Sequence, residues 1–518
     1  MKRYIKLFGS LLLAMVMLAS VSGCKKFLDR QPLSPTLDDY GSVIDGQVIG
    51  MYKVFHTYAG YQTLPWLDFN SIRDDDAQKG SSATDGQEIV TEFETFQYTK
   101  DDWATNTYWN DHYYLINLAN KVLSFADSLN LSDANSLRNV GEAYFFRAYS
   151  YFELVKAYGE VPKIDFYYTN ASEGIRPKAT VADIYALIDN DLDSASRLLP
   201  LNWFNSTTNL NPFPGRLTSG AANALWAQAN LFRQNWARTT ALCNTVIASA
   251  QYSLEPRFID IWKDGVGGAG KNGRESILEA QAYIGPGGTP DLGVAFATSQ
   301  NVRQGGAAPQ WNLGWGWNTP TDVLQSAWDA TDPRKQATIL YSGQSDGGPA
   351  TGGYGATLPP YGPGSSLDQK YWNKKVYSDP AMRQLTGHVT DGNAGWINHR
   401  IIRYADIILM KAEAANEMGD GATAATMLEM IRARARNGAP GTLPPIPFTT
   451  QAAMRTAIKN ERRFEFAMEG YRFYDLVRWG DAVAVLGPLG YTDRCKYYPI
   501  PQKAIDLSGG VLVQNPLW

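Results

Sequence analysis

Trp311, Trp315 and Trp317 are interleaved with Gly314 and Gly316 in a stretch without helical apolar period. Glycine is unfavourable inside helices, so the stretch reads as loop or strand. On a strand, alternate residues share a face, and all three indoles would line one surface. Flat aromatic faces suit the apolar C–H faces of sugar rings, while polar groups at the rim read hydroxyls. Trp66, in the loop after Leu64-Pro65, and Tyr283 are further stacking candidates. The competing reading for each ring is packing against its own loop. Asp74-Asp75-Asp76 offers carboxylate oxygens of the kind calcium prefers; a solvated turn is the alternative. No other metal and no cofactor is expected.

Two motifs resemble catalytic ones without their context. Gly265-Val266-Gly267-Gly268-Ala269-Gly270-Lys271 has the glycine spacing of a phosphate cradle. Such a cradle needs a strand before it and a helix after it, and here an extended segment around Ile277 follows. Gly343-Gln344-Ser345-Asp346-Gly347 matches a hydrolase elbow, yet glycine and proline follow instead of a helix. The histidines His56, His112, His388 and His399 include no pair at helical metal spacing. The chain is therefore expected not to be an enzyme.

Lys2, Arg3 and Lys6, an apolar run from Leu11 to Ala19, and Val21-Ser22-Gly23-Cys24 form a signal peptide with a lipobox. Cleavage is expected before Cys24, whose thiol takes a lipid that anchors the body. Residues 1–23 are the signal and 24–518 the mature lipoprotein. Cys243 and Cys495 are too few for a disulfide framework. A net charge of −4 without a basic patch gives no reason to expect nucleic acid. Aromatic content is high, with 15 Trp and 29 Tyr.

The elements that must hold these residues are mostly helical. The stretch 38–55 reads as helix. From Ala134 to Tyr158, Leu137, Val140, Tyr144, Ala148, Tyr151, Val155 and Tyr158 recur at three- and four-residue steps, and Gly159 ends the run. Its antiparallel partner is 113–129. Thr180 and Asp183 make a capping box before the next helix. Alanine-rich hairpins at 219–232 with 236–250, and 401–417 with 422–436, are tetratricopeptide-like units, without a continuous solenoid being expected. The fold class is thus mostly α. A helical N-terminal part (24–262) and C-terminal part (391–518) form the scaffold, with a loop-rich ligand-binding subregion between them (263–390). Loops on a rigid frame are where binding usually lives.

The most specific stretch is Glu461-Arg462-Arg463-Phe464-Glu465-Phe466-Ala467-Met468-Glu469-Gly470-Tyr471-Arg472-Phe473-Tyr474-Asp475-Leu476-Val477-Arg478-Trp479-Gly480. Arg462 with Glu465, Glu469 with Arg472, Arg472 with Asp475, and Asp475 with Arg478 are three apart, so local pairs on adjacent helix turns are expected. The stretch reads as a fold staple. It resembles the signature of the SusD-like (RagB/SusD) family of outer-membrane nutrient-binding lipoproteins. Glu142–Ala148 with Tyr158–Pro162, Arg403–Ala414, Tyr498–Pro501 and Gln514–Pro516 resemble its other signatures, although Leu517 stands where the family commonly has Gly. The resemblance implies a cell-surface protein of the outer membrane that captures oligosaccharide and delivers it to a SusC-type TonB-dependent transporter. Peptide or other nutrient capture by the same fold, or a surface glycoside hydrolase, are the alternatives.

Overall fold

A computed structural model describes residues 44–518, apart from 58, 83–84, 86–87, 206, 209–210, 267–269, 305–310, 363–366, 437–438 and 440. Cys24 and the signal segment lie outside the described residues.

The chain is mostly α. Helix α1 (Asp45–Thr57) leads to a short strand, β1 (Ala77–Gly80). A run of long helices follows: α2 (Trp103–Ser128), α3 (Ala134–Tyr158), α4 (Val181–Leu198), α5 (Ser219–Phe232) and α6 (Trp236–Ala248). The chain then leaves the array for a region of short strands: β2 (Ser276–Ala280), β3 (Tyr283–Ile284), β4 (Asp291–Leu292), β5 (Trp317–Pro320), β6 (Ile339–Tyr341), β7 (Tyr371–Asn373) and β8 (His399–Arg403). It returns in α7 (Tyr404–Glu417), α8 (Gly421–Arg436), α9 (Gln451–Glu465) and α10 (Arg472–Trp479).

Local chemistry explains the boundaries. The Thr180 hydroxyl accepts from the Asp183 N–H at 3.1 Å and donates to the Asp183 carboxylate at 2.7 Å, closing the expected capping box. Gly159 ends α3 with φ of +72°. From Gly141 onward α3 is buried on nearly every side, wider than one apolar stripe, because α2 and α4 cover opposite flanks. Its buried charges are therefore partnered, with Arg147 held by Asp191 at 2.7 Å and Glu142 by Arg216 at 2.5 Å.

Each helix packs on the next from α2 to α6, and α6 packs on α7. The helical array is thus continuous in space although the strand-rich region interrupts it in sequence. That region is closed at its base by the antiparallel pair β2–β8 and carries a small core of Val302, Leu340, Leu358 and Trp372. The strand β1 reaches out of the N-terminal part to pair with β5, aligning Gly80 with Trp317.

The signature segment pairs otherwise than along one helix. Between α9 and α10 the backbone turns at Met468 (φ +66°) and Gly470 (φ +79°), so residues on either side do not share a helix face. Of the four expected pairs only Asp475–Arg478 forms, at 2.7 Å. Arg462 instead holds Asp406 and Asp475, and Glu465 takes Arg334, Arg403 and Arg434.

Candidate functional site

The acidic triplet is structural. Asp74 Oδ1 accepts from the N–H groups of Asp76 and Ala77 at 2.7 and 2.9 Å, which tightens the turn into β1. The Asp75 carboxylate takes Arg472 at 2.8 Å, and Asp76 takes Arg463 Nε at 3.0 Å. Guanidinium groups hold the Asp75 and Asp76 carboxylates offered for calcium, and backbone N–H groups take Asp74 Oδ1. Burial, and then the neighbouring Asp76 and Asp75 carboxylates, push the Asp74 carboxyl up from its ordinary value. The turn also accepts from Thr321, whose hydroxyl reaches the Asp75 carbonyl at 2.8 Å and whose N–H reaches the Asp76 carbonyl at 3.0 Å. Signature arginines, acidic turn, β1 and β5 therefore form one mechanical chain that ends at Trp317.

At the end of that chain the indoles separate. Gly316 has φ of +77°, which breaks the expected alternation, and a Cβ there would meet Arg303 Cβ at 2.7 Å. Trp315 is 40% exposed and Trp317 8%, their rings meeting edge to face at 5.1 Å. Trp317 is a foundation: its Nε1–H donates to Asp85 at 2.9 Å. Trp311 is half-buried against the small core around Trp372, so the three indoles do not form one platform. Trp66 is not in a loop. It lies on the helical turn Leu64–Leu67, 7% exposed, against Phe296 and His399.

Polar groups from distant segments gather around Gly316 and Trp317, whose ring meets that of Trp315. Asp85 is bridged by Lys79 at 2.9 Å and faces Arg303 at 3.6 Å. Arg303 also donates to the Ser81 hydroxyl, and Gln369 Nε2 donates to the Ser81 carbonyl at 2.6 Å. The Ser81 N–H donates to the Gly316 carbonyl, binding both loops together. The result is one exposed indole beside a braced base, in which the Asp85 carboxylate is buried with its side chain 3% exposed, Lys79 is mostly covered, and the Arg303 guanidinium keeps about a third of its surface open. Such a site can stack a ring and bind hydroxyls. Sequence reasoning missed Lys79, Ser81, Asp85, Arg303 and Gln369, and no local pattern marks them, because the β1–β5 pairing brings them together.

Tyr283, 52% exposed on β3, stands elsewhere, on the rim of a cleft of about 1040 Å³ between α1, β3 and the loop before α5. Phe204, Ile49 and Leu292 share that rim, with Arg216 and Lys271 among the lining groups.

Residues 267–269 of the glycine-rich look-alike lie outside the described residues; the described residues of the look-alikes and the histidines take structural partners. Ser345 is an exposed residue beyond β6 that bridges antiparallel to Thr357, and Lys271 donates to the Ala282 carbonyl at 2.5 Å. His399 is bound to Gln62 and stacked on Phe296, His388 is bound to Asp391, and His112 is enclosed by Tyr61 and Tyr108.

Comparison with known proteins agrees with this architecture. A family model described as SusD family matches residues 318–493, and one described as starch-binding associating with outer membrane matches residues 26–231. The chain is 28% identical to SusD-like protein P2 of Formosa agariphila, over 99% of this chain and 98% of that protein. It is 25% identical to a SusD-like protein of Bacteroides ovatus, over 75% and 68%. Among solved structures, a laminarin binding SusD-like protein superposes with a TM-score of 0.71 at 25% identity, covering 91% of this chain and 98% of that one. Surface glycan-binding protein A from Bacteroides thetaiotaomicron, in complex with laminarihexaose, superposes at 0.73 with 22% identity, covering 91% and 99%. With the helical array, the signature segment and both family models in agreement along the chain, this protein belongs to the SusD-like family.

Proposed function

We propose that this protein captures oligosaccharide at the outer surface of the outer membrane, releases it unaltered, and passes it to a SusC-type TonB-dependent transporter. Cys24 carries the lipid that tethers it there. The observation that carries the reading is the exposed Trp315 on its braced base, in which Asp85 and Lys79 are enclosed and Arg303 stays partly open. A pyranose face packs on the indole while the partly exposed Arg303 guanidinium donates to its hydroxyls. One ring plus a polar rim matches the general make-up of ligand sites, in which apolar contact supplies affinity and a few polar groups fix orientation. Laminarin and laminarihexaose, named for the two structural relatives, are the first ligands to try.

The test is calorimetry of Trp315→Ala with laminarihexaose and with hexaoses of other linkage, folding being checked by circular dichroism. The expected result is at least a tenfold loss of affinity for the cognate hexaose, about 1.4 kcal/mol. A folded variant that binds like wild type would move the site away from Trp315. Chromatography of the incubated hexaose is expected to return it intact, and shorter products would make the protein a hydrolase.

A further inference from the structure

The connection between α4 and α5 runs from Leu199 to Thr218, whereas α5 and α6 are joined by Arg233–Asn235 alone. Helix connections in such arrays are typically about 2–8 residues, and longer loops are usually functional. This loop is built around aromatic and amide side chains. It encloses, with the first turns of α1 and α3, a cavity of about 350 Å³ lined by Asn135, Asn139, Asn202, Trp203, Asn205 and Phe213. That volume lies within the range of small-ligand sites, about 300–1,000 Å³.

We propose that this cavity is a second carbohydrate-binding site, separate from Trp315. The aromatic wall is fixed: Trp203 Nε1–H donates to the Leu217 carbonyl at 2.8 Å, and Phe213 meets Trp203 edge to face at 5.6 Å. Arg216 lies 4.5 Å over the Trp203 ring and so backs the wall. Phe213 itself is exposed and presents its ring to solvent. The loop is braced by its own amides, since the side-chain carbonyls of Asn205 and Asn211 accept from Thr207 and Phe213 N–H groups at 2.9 Å each.

The floor is polar and its charges balance in number: Arg138, which donates to Asn135 Oδ1 at 2.9 Å, is offset by the lining Asp45, and Arg216 by Glu142. Arg216 pairs with Glu142 at 2.5 Å and donates to Asn139 Oδ1 at 2.9 Å, while Asn139 donates to Asp45. A site for phosphate or another anion would need unbalanced positive charge, and an apolar helix or lipid would need a continuous apolar surface. Side-chain amides with aromatic rings and little net charge are the complement of a neutral polyol with apolar C–H faces. The class of ligand rests on the glycan reading given above; the location does not.

The test is calorimetry with laminarihexaose and with hexaoses of other linkage, on wild type, Trp315→Ala, Phe213→Ala, the double variant and Phe213→Tyr, each checked for an unchanged melting temperature. Wild type is expected to show two binding steps. Trp315→Ala is expected to keep one, which the double variant weakens at least tenfold, and Phe213→Tyr is expected to keep both. A double variant that binds like Trp315→Ala, or Trp315→Ala without measurable binding of any hexaose, overturns the second site and leaves Trp315 standing. Binding that survives Trp315→Ala unchanged but is lost in Phe213→Ala supports this site and removes the reading built on Trp315.

Discussion

Gly470 sits at φ +79°, and a Cβ there would stand 2.5 Å from the Trp66 ring. Both facts act in the same direction. Left-handed backbone costs a non-glycine residue about 1–2 kcal/mol, and forcing a methyl into a packed core costs about 1–3 kcal/mol. Gly470→Ala is therefore expected to destabilise the protein by about 2–5 kcal/mol, read from urea denaturation. His399, beside the same Trp66, is a second single-residue lever. Burial, reinforced by the positive charge of Arg400, lowers its imidazole to about 3, so the folded protein keeps it neutral. The unfolded chain binds a proton below its ordinary value of about 6.5. Stability from this group is full above that value and falls as the pH drops towards 3, by about 2.5 kcal/mol between pH 7 and 4.5. Melting temperatures of wild type and His399→Gln across that range should show a shallower acid slope in the variant. Equal slopes would mean that the imidazole is already charged or exposed.

For the proposed site at Trp315, the element that matters most is the two-stranded pairing of β1 with β5. Neither strand has a strong signal of its own: Ala77-Gln78-Lys79-Gly80 lacks β-branched residues, and Trp317–Pro320 ends in proline. What holds β1 is the turn before it, clamped by Arg463 and Arg472 from the signature segment. Removing one partner of a largely buried pair leaves a charge without compensation, at a cost of about 3–5 kcal/mol when burial is complete. Arg463 keeps some exposure, so Arg463→Ala is expected to cost about 2–3 kcal/mol. Because β1 and the loop after it carry Lys79, Ser81 and Asp85, the folded fraction should also bind the cognate hexaose several-fold more weakly, measured by calorimetry at low temperature. Unchanged affinity would show that the clamp serves stability alone.

Across the whole molecule the signature segment joins three parts of the chain through buried charge. Glu465 receives Arg334 from the strand-rich region, Arg403 from the end of β8 and Arg434 from α8, and Glu469 receives Lys375 at 2.6 Å. Burial opposes charge on Glu465, but the arginines outweigh it and hold the carboxyl well below the usual range. A carboxylate depressed in this way contributes stability above its unfolded value of about 4.3, and that contribution fades as the pH falls below it. Glu465→Ala strands three buried cations and is expected to cost about 3–5 kcal/mol at pH 7. Its denaturation midpoint, compared with wild type at pH 7 and pH 4, should show the difference narrowing in acid. A Glu465→Ala protein as stable as wild type would refute the staple.

What the sequence determined by itself is what repeats at short range. The three- and four-residue apolar period, the Thr180 cap, the Gly159 stop and the alanine-rich hairpins placed the long helices close to where they stand, because those signals depend on neighbours within a turn or two. The signature segment could also be read as structural, since so many charges in an apolar setting must find partners. Which partners they found was decided only by tertiary structure. The break at Met468–Gly470 cancels the i,i+3 spacing, and the actual partners lie far away in sequence, in Asp75, Arg334, Arg403 and Arg434. The indoles show the same division. Composition and spacing drew attention to Trp315, Trp317 and Trp66, but exposure is set by what covers a ring, and Asp85, Trp372 and Gly470 come from other parts of the chain. A side chain becomes a binding surface through the neighbours it lacks, and no local pattern carries that information.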